Sequence, residues 1–208
     1  SNIFRREIAD RGISGLGHRN SCNKIAASYH ETAERDVARS AAKLGSASDR
    51  DLGSDLDHAI GRDLEVVGGV VGAARDCIET AIDYTLARNQ FDRPIAGFQL
   101  TQQKLADMTV AAGNAMLLAA HLGKLKDNHV LRPEQVSIGK KNNARMALDV
   151  AREARSMLGG SGITLEYPII RHMNNLESVY TYEGTNEIHT LVIGQALTGI
   201  AAYSDYKA

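Results

Sequence analysis

The segment Tyr182-Glu183-Gly184-Thr185-Asn186-Glu187 places a carboxylate beside a sharp bend and the start of a helix. Gly184 permits backbone angles that other residues avoid, and Thr185 or Asn186 can cap the helix that follows. Glu183 then stands just outside a helix N-terminus, whose partial positive charge keeps a carboxylate ionised. Two roles fit this position: Glu183 is a neighbour of the cap, or it is a general base that removes a proton from a ligand.

A second feature that could bind a ligand is the run Gly159-Gly160-Ser161-Gly162. It lacks the GxSxG pattern of a nucleophilic serine, and no strand precedes it as in a dinucleotide-binding or Walker loop. The run either stops a helix in a tight turn or lets a ligand approach the backbone closely. The seven histidines show no metal-ligand spacing, so we expect no metal site.

Four apolar stripes with alternating steps of three and four residues predict the elements that position these segments. The predicted helices lie near 62–90, 99–127, 134–158 and 185–203. The run VVGGVV at 66–71 is interpreted as helix because it continues the first stripe. Each stripe can be buried only against another helix, which predicts an all-α, up-down four-helix bundle. No segment alternates like a strand, so we expect a β-domain to be absent.

Composition narrows the class of protein further. The 208 residues are 43% hydrophobic and carry a net charge of -1, which is typical of a globular chain without a nucleic-acid or anionic-membrane surface. No apolar run approaches the roughly 20 residues of a membrane span, so none is expected. Cys22 and Cys77 form no CxxC pair, which favours a reducing compartment: the bacterial cytoplasm or the mitochondrial matrix. The small, acidic stretch 45–57 predicts a linker, which divides the chain into an N-terminal helical arm with its linker, 1–57, and the bundle, 58–208.

Two stretches carry a resemblance to a known family: YTLARNQFDRPIAGFQLTQQKLADM at 84–108, and KKNNARMALDVAREARSMLGGSGITLEYPIIRHMNNLESVYTYEGTNEIH at 140–189. They resemble the C-terminal helical domain of the flavin-dependent acyl-CoA dehydrogenases, and within that family the glutaryl-CoA dehydrogenases most. The resemblance runs from about Gly61 to Tyr203. It implies an FAD-dependent α,β-dehydrogenation of an acyl-CoA thioester, with glutaryl-CoA as the first candidate.

The resemblance also implies roles for individual residues. In that family the glutamate of the YEGT motif takes the α-proton of the thioester while the β-hydrogen leaves as hydride to the flavin, and Glu183 matches it. Tyr182 and Gly184 flank it at the substrate, and Arg39 and Ser40 match the pair that binds the distal carboxylate of glutaryl-CoA. Further positions match FAD contacts, some of them to the FAD of a neighbouring subunit: Arg88, Gln90, Phe91, Phe98, Gln99, Gly159, Gly160 and Thr185. The implied partners are an acyl-CoA, an electron-transfer flavoprotein and further copies of the chain.

The sequence also departs from the family pattern. Members of the family carry a β-barrel domain between the N-terminal helices and this bundle. In this sequence no such domain is found between the N-terminal arm and the first apolar stripe. Asp92 replaces the usual glycine after QF, and Asp63 stands where an arginine near the CoA is expected. Two functions therefore stay open: an FAD-dependent acyl-CoA dehydrogenase or a fragment of one, and a non-catalytic helical module that has lost the β-domain and the flavin site.

Overall fold

The structure is a computed structural model that describes residues 52–182 and 184–202, with side chains from residue 63 onward. The described part contains five α-helices and one two-stranded hairpin. They follow in the order α1 (Leu52–Ala87), β1 (Asn89–Gln90), β2 (Arg93–Pro94), α2 (Gln99–Asp127), α3 (Pro133–Met157), α4 (Ile169–Thr181) and α5 (Asn186–Thr198). The predicted all-α class is confirmed, and VVGGVV lies inside α1 as expected.

Helix α3 lies at the centre of the bundle and packs against the other four helices. Its buried face is built from small side chains, among them Ala147, Ala151 and Ala154, which are fully buried. At Gly139 an added Cβ would collide with the Leu122 side chain and press on Val67. Glycine and alanine on α3 thus allow α1 and α2 to approach closely.

One buried polar residue ties three helices together. Asn143 on α3 is fully buried, and its amide group donates hydrogen bonds of 3.0 Å to the carbonyl oxygens of Val67 on α1 and Ala115 on α2. These bonds fix the axial position of both neighbours relative to α3, because a shift of either helix would leave a buried amide without an acceptor.

The elements differ from the expectations in several places. Helix α1 begins at Leu52, so the predicted linker 45–57 is helical from that residue onward. The segment Ile169–Thr181, for which no helix was predicted, forms α4. Helix α5 ends at Thr198 and not near 203, because Gly199 adopts a left-handed C-cap with φ of 74°. Residues 1–51 of the predicted N-terminal arm lie outside the described residues, and the division of the chain at 57/58 stays a prediction.

Helix α2 is long and apolar enough to cross a membrane by length and composition, with a mean hydropathy of 1.3 over its most apolar 18 residues. The expectation that no apolar run approaches such a length did not allow for this helix. A core helix of a globular bundle meets the same criterion, and α2 buries Met108, Ala115, Ala119 and Leu122. Only 22% of the apolar window is buried, so much of its apolar surface faces outward.

Candidate functional site

The turn between α4 and α5 carries the YEGT segment. Tyr182 is the C-cap of α4, with its N–H donating to the Ser178 carbonyl oxygen at 2.9 Å. Gly184 has φ of 89°, a conformation that strongly favours glycine. The Thr185 hydroxyl accepts from the Ile188 N–H at 3.3 Å and caps α5, which confirms the capping role predicted for it. Glu183 itself lies outside the described residues.

A buried lysine contacts the backbone on both sides of position 183. Lys140, in the second turn of α3, is only 2% exposed. Its ammonium group donates to the carbonyl oxygen of Tyr182 at 2.8 Å and to that of Gly184 at 3.2 Å. The ammonium nitrogen also lies 5.7 Å from the centroid of the Tyr182 ring. No role was predicted for Lys140 from the sequence, although it lies in the stretch 140–189 that carries the family resemblance.

Asp63 supplies the counter-charge for that lysine. Its carboxylate lies 3.6 Å from the Lys140 ammonium nitrogen, and its side chain is 23% exposed. A buried ammonium group is costly unless it is paired and hydrogen-bonded, and here both conditions are met. The departure noted at Asp63 therefore has a structural role in this chain: α1 provides the partner that lets α3 hold the turn.

His189 on α5 closes the turn from the other side. It is 6% exposed, and its Nδ1 lies 3.1 Å from the Ser137 hydroxyl oxygen. A Cβ added to Gly184 would lie 3.1 Å from its Nε2, so the ring packs directly against the glycine. Burial, and next the positive charge of Lys140, lower the pKa of His189 below its ordinary value. The ring is therefore neutral at physiological pH.

The hairpin after α1 brings together most of the residues that the resemblance connects with FAD. Both residues of its two-residue turn have positive φ, 52° at Phe91 and 61° at Asp92. The Phe91 ring is 87% exposed and meets the Phe98 ring edge-on at a centroid distance of 6.3 Å. The Arg93 guanidinium carbon lies 3.9 Å from the centroid of the Phe98 ring. Stacking on Arg93 fixes Phe98, and the exposed Phe91 is free to contact another molecule.

Three more of these residues lie beside the same turn. Arg88 and Gln90 are exposed on the first side of the hairpin, and Gln99 is exposed at the first position of α2. The Ile95 N–H donates to the Arg88 carbonyl oxygen at 2.9 Å, which anchors the base of the hairpin. The polar side chains thus project from a fixed backbone and are free to bind phosphate or amide groups.

The three glycines that follow α3 differ in whether their φ angle or their close neighbours require glycine. Gly159 has φ of 59° and ends the helix, as one of the two predicted roles requires. Gly160 has no such φ, and an added Cβ there would meet nothing within 4 Å. At Gly162 an added Cβ would collide with the Arg155 backbone. Packing or conformation thus explains Gly159 and Gly162, whereas Gly160 leaves room for another molecule to approach.

The hairpin and the glycines share one end of the bundle, and the YEGT turn lies far from it. Asp63 and Val67 on α1 contact Lys140 and Asn143 on α3, so the two helices run in the same direction. Tyr84, near the end of α1, packs edge-on against Tyr167, which follows the glycines, at 5.6 Å. From Lys140, which contacts the turn, α3 rises about 25 Å to its end at Met157, at about 1.5 Å per residue. The predicted site residues therefore fall into two separate groups within one chain. Arg39 and Ser40 lie outside the described residues.

A long open groove of about 810 Å³ runs along α2 and α3 between these two groups. Its lining includes the apolar side chains of Met108 and Met146 and charged residues of both signs, among them Arg145 and Asp149, which form an ion pair at 2.9 Å. Within residues 52–182 and 184–202 no cluster of side chains could hold a metal ion.

Comparisons with known proteins agree with these features. The family model for the acyl-CoA dehydrogenase C-terminal domain matches residues 63–198. A crystal structure of glutaryl-CoA dehydrogenase from Mycobacterium smegmatis is similar with a TM-score of 0.70 and 61% identity over 74% of this chain and 40% of that chain. A structure of the M. smegmatis enzyme in complex with FADH2 gives a TM-score of 0.71 and 56% identity over 75% of this chain and 40% of that one.

A curated relative, the mitochondrial 2-methylacyl-CoA dehydrogenase of Solanum tuberosum, is 38% identical over 140 residues. The alignment covers 66% of this chain and 34% of the relative. The chain thus spans about a third of the length of this relative. The region that the family model matches, 63–198, contains the hairpin, the glycine turn and the YEGT turn.

Proposed function

Because this chain belongs to the acyl-CoA dehydrogenase family, we propose that it forms the helical part of an FAD-dependent enzyme that dehydrogenates an acyl-CoA thioester at its α and β carbons. Glutaryl-CoA is the proposed substrate, and Glu183 is the proposed base. One observation carries the proposal: the backbone on both sides of Glu183 is held by Lys140, between a helix that ends and a helix that begins.

The turn suits the removal of an α-proton by a weak base. The α-carbon of a thioester is acidic enough for a carboxylate, provided that the carboxylate is ionised and held rigidly over the proton. Position 183 precedes the N-terminus of α5, where the helix dipole favours the ionised form. A bound flavin supplies the acceptor for the β-hydride.

The exposed residues at the hairpin fit a cofactor that carries phosphates and a flat ring system. Arg88 offers a guanidinium group to a pyrophosphate and Gln90 an amide, and the Phe91 ring is available for packing against a ring or a chain. Gly160 leaves open space for an adenosine portion to lie against the backbone. About 25 Å of helix separates these residues from the YEGT turn. The hairpin of one copy is therefore proposed to bind the FAD that serves Glu183 of another copy.

This arrangement requires at least two copies of the chain. Helix α2 offers a surface for their contact, since Val110 and Leu117, seven residues apart on one face, are 64% and 61% exposed. Exposed apolar side chains on a long helix are typical of a surface that another helix covers. An electron-transfer flavoprotein is the proposed acceptor of the electrons from the reduced flavin, in keeping with the family resemblance.

The test compares Glu183→Gln with Glu187→Gln in protein loaded with FAD. Glu183→Gln keeps the size of the side chain and removes its basicity, so flavin bleaching by glutaryl-CoA should slow by about 10²- to 10⁴-fold. Glu187 lies one turn further on, is exposed, and has a pKa below its ordinary value because its own backbone N–H and the Thr185 hydroxyl donate to it. Glu187→Gln should therefore change the rate little.

Binding is followed separately from the reaction. Both variants should retain FAD absorbance and acyl-CoA affinity, because the step that is lost is proton transfer and not ground-state binding. An unchanged bleaching rate in Glu183→Gln would refute the assignment of the base. If the purified oligomer takes up no FAD, that result would favour the non-catalytic helical module instead.

A further inference from the structure

We propose that Lys140 is a positioning residue for the base: its ammonium group, neutralised by Asp63, fixes the backbone on both sides of position 183. This inference deepens the proposed function and rests on Glu183 as the base. The geometry of the lysine itself stands independently of that assignment.

The two hydrogen bonds of Lys140 converge on one turn. Lys140 donates to the carbonyl oxygens of Tyr182 and Gly184, which belong to the residues before and after position 183. An ammonium group has three donors, and two of them here restrain one short stretch of backbone. A single bond would let the turn pivot about its acceptor, whereas bonds to the carbonyl groups of Tyr182 and Gly184 restrain the turn at two points, one before and one after position 183.

Lys140 projects from the central helix, which packs against all four neighbours, and only 2% of the residue is exposed. Holding so long a side chain in one conformation costs rotamer entropy on folding. Because that cost is already met in the folded bundle, the turn is restrained by a rigid group and not by a mobile surface side chain.

The stability of the bundle alone does not require this pair of charges. Replacing a buried ion pair by uncharged residues of similar volume is often neutral or stabilising. Methionine has nearly the length of lysine and would fill the same space, but it has no donor for the two carbonyl oxygens. What the lysine adds over an apolar residue is the restraint on the turn.

A displaced turn should slow proton transfer more than it weakens binding. Effective base catalysis depends on a near-attack geometry, and a misplacement of about 1 Å can cost about 10²-fold in rate. The binding of acyl-CoA is spread over many contacts and should change little. The expected signature of a positioning residue is therefore a lower maximal rate of flavin reduction with a nearly unchanged dissociation constant for acyl-CoA.

The test uses the double variant Lys140→Met/Asp63→Asn, which removes both charges together and leaves neither unpaired. Amide hydrogen exchange measured by mass spectrometry reports on the turn without any need for flavin. We expect peptides that cover 182–188 to exchange at least about tenfold faster than in the wild-type protein, with peptides from the middle of α3 unchanged and the unfolding temperature within a few degrees. In FAD-loaded protein the maximal rate of flavin reduction should fall by about 10- to 100-fold.

Lys141→Met is the matched control. This lysine is the next residue on α3, and its ammonium group donates to the Thr190 hydroxyl of α5 at 2.5 Å and not to the turn. The control should leave both the exchange of 182–188 and the rate of flavin reduction near their wild-type values.

The outcomes separate this inference from the assignment of the base. Wild-type exchange of 182–188 in the double variant would overturn the positioning role, whatever happens to Glu183→Gln. A double variant that does not fold would assign Lys140 to the stability of the bundle and would overturn the proposal as well. Faster exchange together with an unchanged rate of flavin reduction would likewise reject the role in catalysis, whereas the assignment of the base fails only if Glu183→Gln reduces flavin normally.

Discussion

Replacing Gly184 by alanine tests whether the turn is built as the structure describes it. Gly184 has φ of 89°, and positive φ costs an ordinary L-residue about 1–2 kcal/mol. An alanine Cβ would also lie 3.1 Å from Nε2 of His189, whose Nδ1 is held by Ser137. Relief of that contact needs a shift of the buried ring, for which we add about 1 kcal/mol. The loss of unfolded-state entropy on Gly→Ala returns about 0.4–1 kcal/mol, so the net destabilisation should be about 2 kcal/mol.

Two other glycines of the same region separate the two contributions. Gly199 has φ of 74° and open space around its Cβ position, so Gly199→Ala carries the backbone cost without the contact and should destabilise by about 1 kcal/mol. Gly194 lies inside α5 with neither a positive φ nor a neighbour within 4 Å. Gly194→Ala should stabilise the protein by about 0.5–1 kcal/mol, the usual gain of alanine over glycine in a helix.

Urea unfolding followed by circular dichroism at the helical minimum gives the three differences in the free energy of unfolding. The order of stability should be Gly194→Ala, wild type, Gly199→Ala and then Gly184→Ala. If Gly184→Ala were no less stable than Gly199→Ala, the close packing of His189 on the turn would be wrong. If both were as stable as the wild type, the positive φ values would be wrong as well.

Three further predictions concern other parts of the molecule. The pKa of His189 lies below its ordinary value of 6.5, so the unfolded chain binds a proton that the folded protein does not, and stability should fall as the pH drops below 6.5; His189→Gln should flatten that part of a urea-unfolding series. Asp92→Gly places glycine at φ of 61° in the hairpin turn and should raise the free energy of unfolding by about 0.5–1 kcal/mol, measured in the same way. Leu117→Glu, on the exposed face of α2, should lower the mass found by light scattering and leave the circular dichroism spectrum unchanged, and an unchanged mass would exclude this face as the contact between copies.

Apolar spacing was sufficient to predict the helices that lie between clear stop signals. Helix α2 has the predicted bounds at both ends, and α3 differs from its prediction by one residue at each end. Pro133 begins α3 and the glycines at 159 and 160 follow its end, so the apolar spacing and the start and stop signals agree. The beginning of α1 was predicted ten residues too late because the small, acidic residues before it resemble a linker in composition, although they are compatible with a helix.

Helix α4 was missed for a different reason. Its buried residues Ile169 and Leu176 and its half-buried residues Met173 and Tyr180 follow steps of four, three and four residues, which is the same signal that predicted the other helices. The segment is only 13 residues long and begins with two adjacent isoleucines after Pro168, a start that does not distinguish a helix from a buried strand. The two strands of the hairpin before α2 have two residues each, which is too short for any alternating pattern to appear.

Lys140 and Asn143 could have been found from the sequence. The apolar stripe of α3 was read from Ala144 onward, but its spacing extends back to Val136, and Lys140 lies midway between these two buried residues. A lysine and an asparagine on the buried face of a helix must be hydrogen-bonded, which marks both as residues with a specific partner. The partners themselves could not be predicted, because Asp63, Val67 and Ala115 come from other helices whose register only the fold determines.

The structure also explains why the base and the cofactor contacts can be examined one at a time. The YEGT turn is held by Asp63, Lys140 and His189, which belong to α1, α3 and α5, so the folded bundle alone is sufficient to build it. The hairpin residues lie beyond about 25 Å of helix, and none of them contributes to the contacts described at the turn. We therefore expect substitutions at the hairpin to weaken FAD binding without altering the exchange of 182–188, and Glu183→Gln to stop the reaction without releasing FAD. The effects of substitutions at sites more than about 10 Å apart with no shared partners are generally additive. Within one chain, the YEGT turn and the hairpin meet that condition.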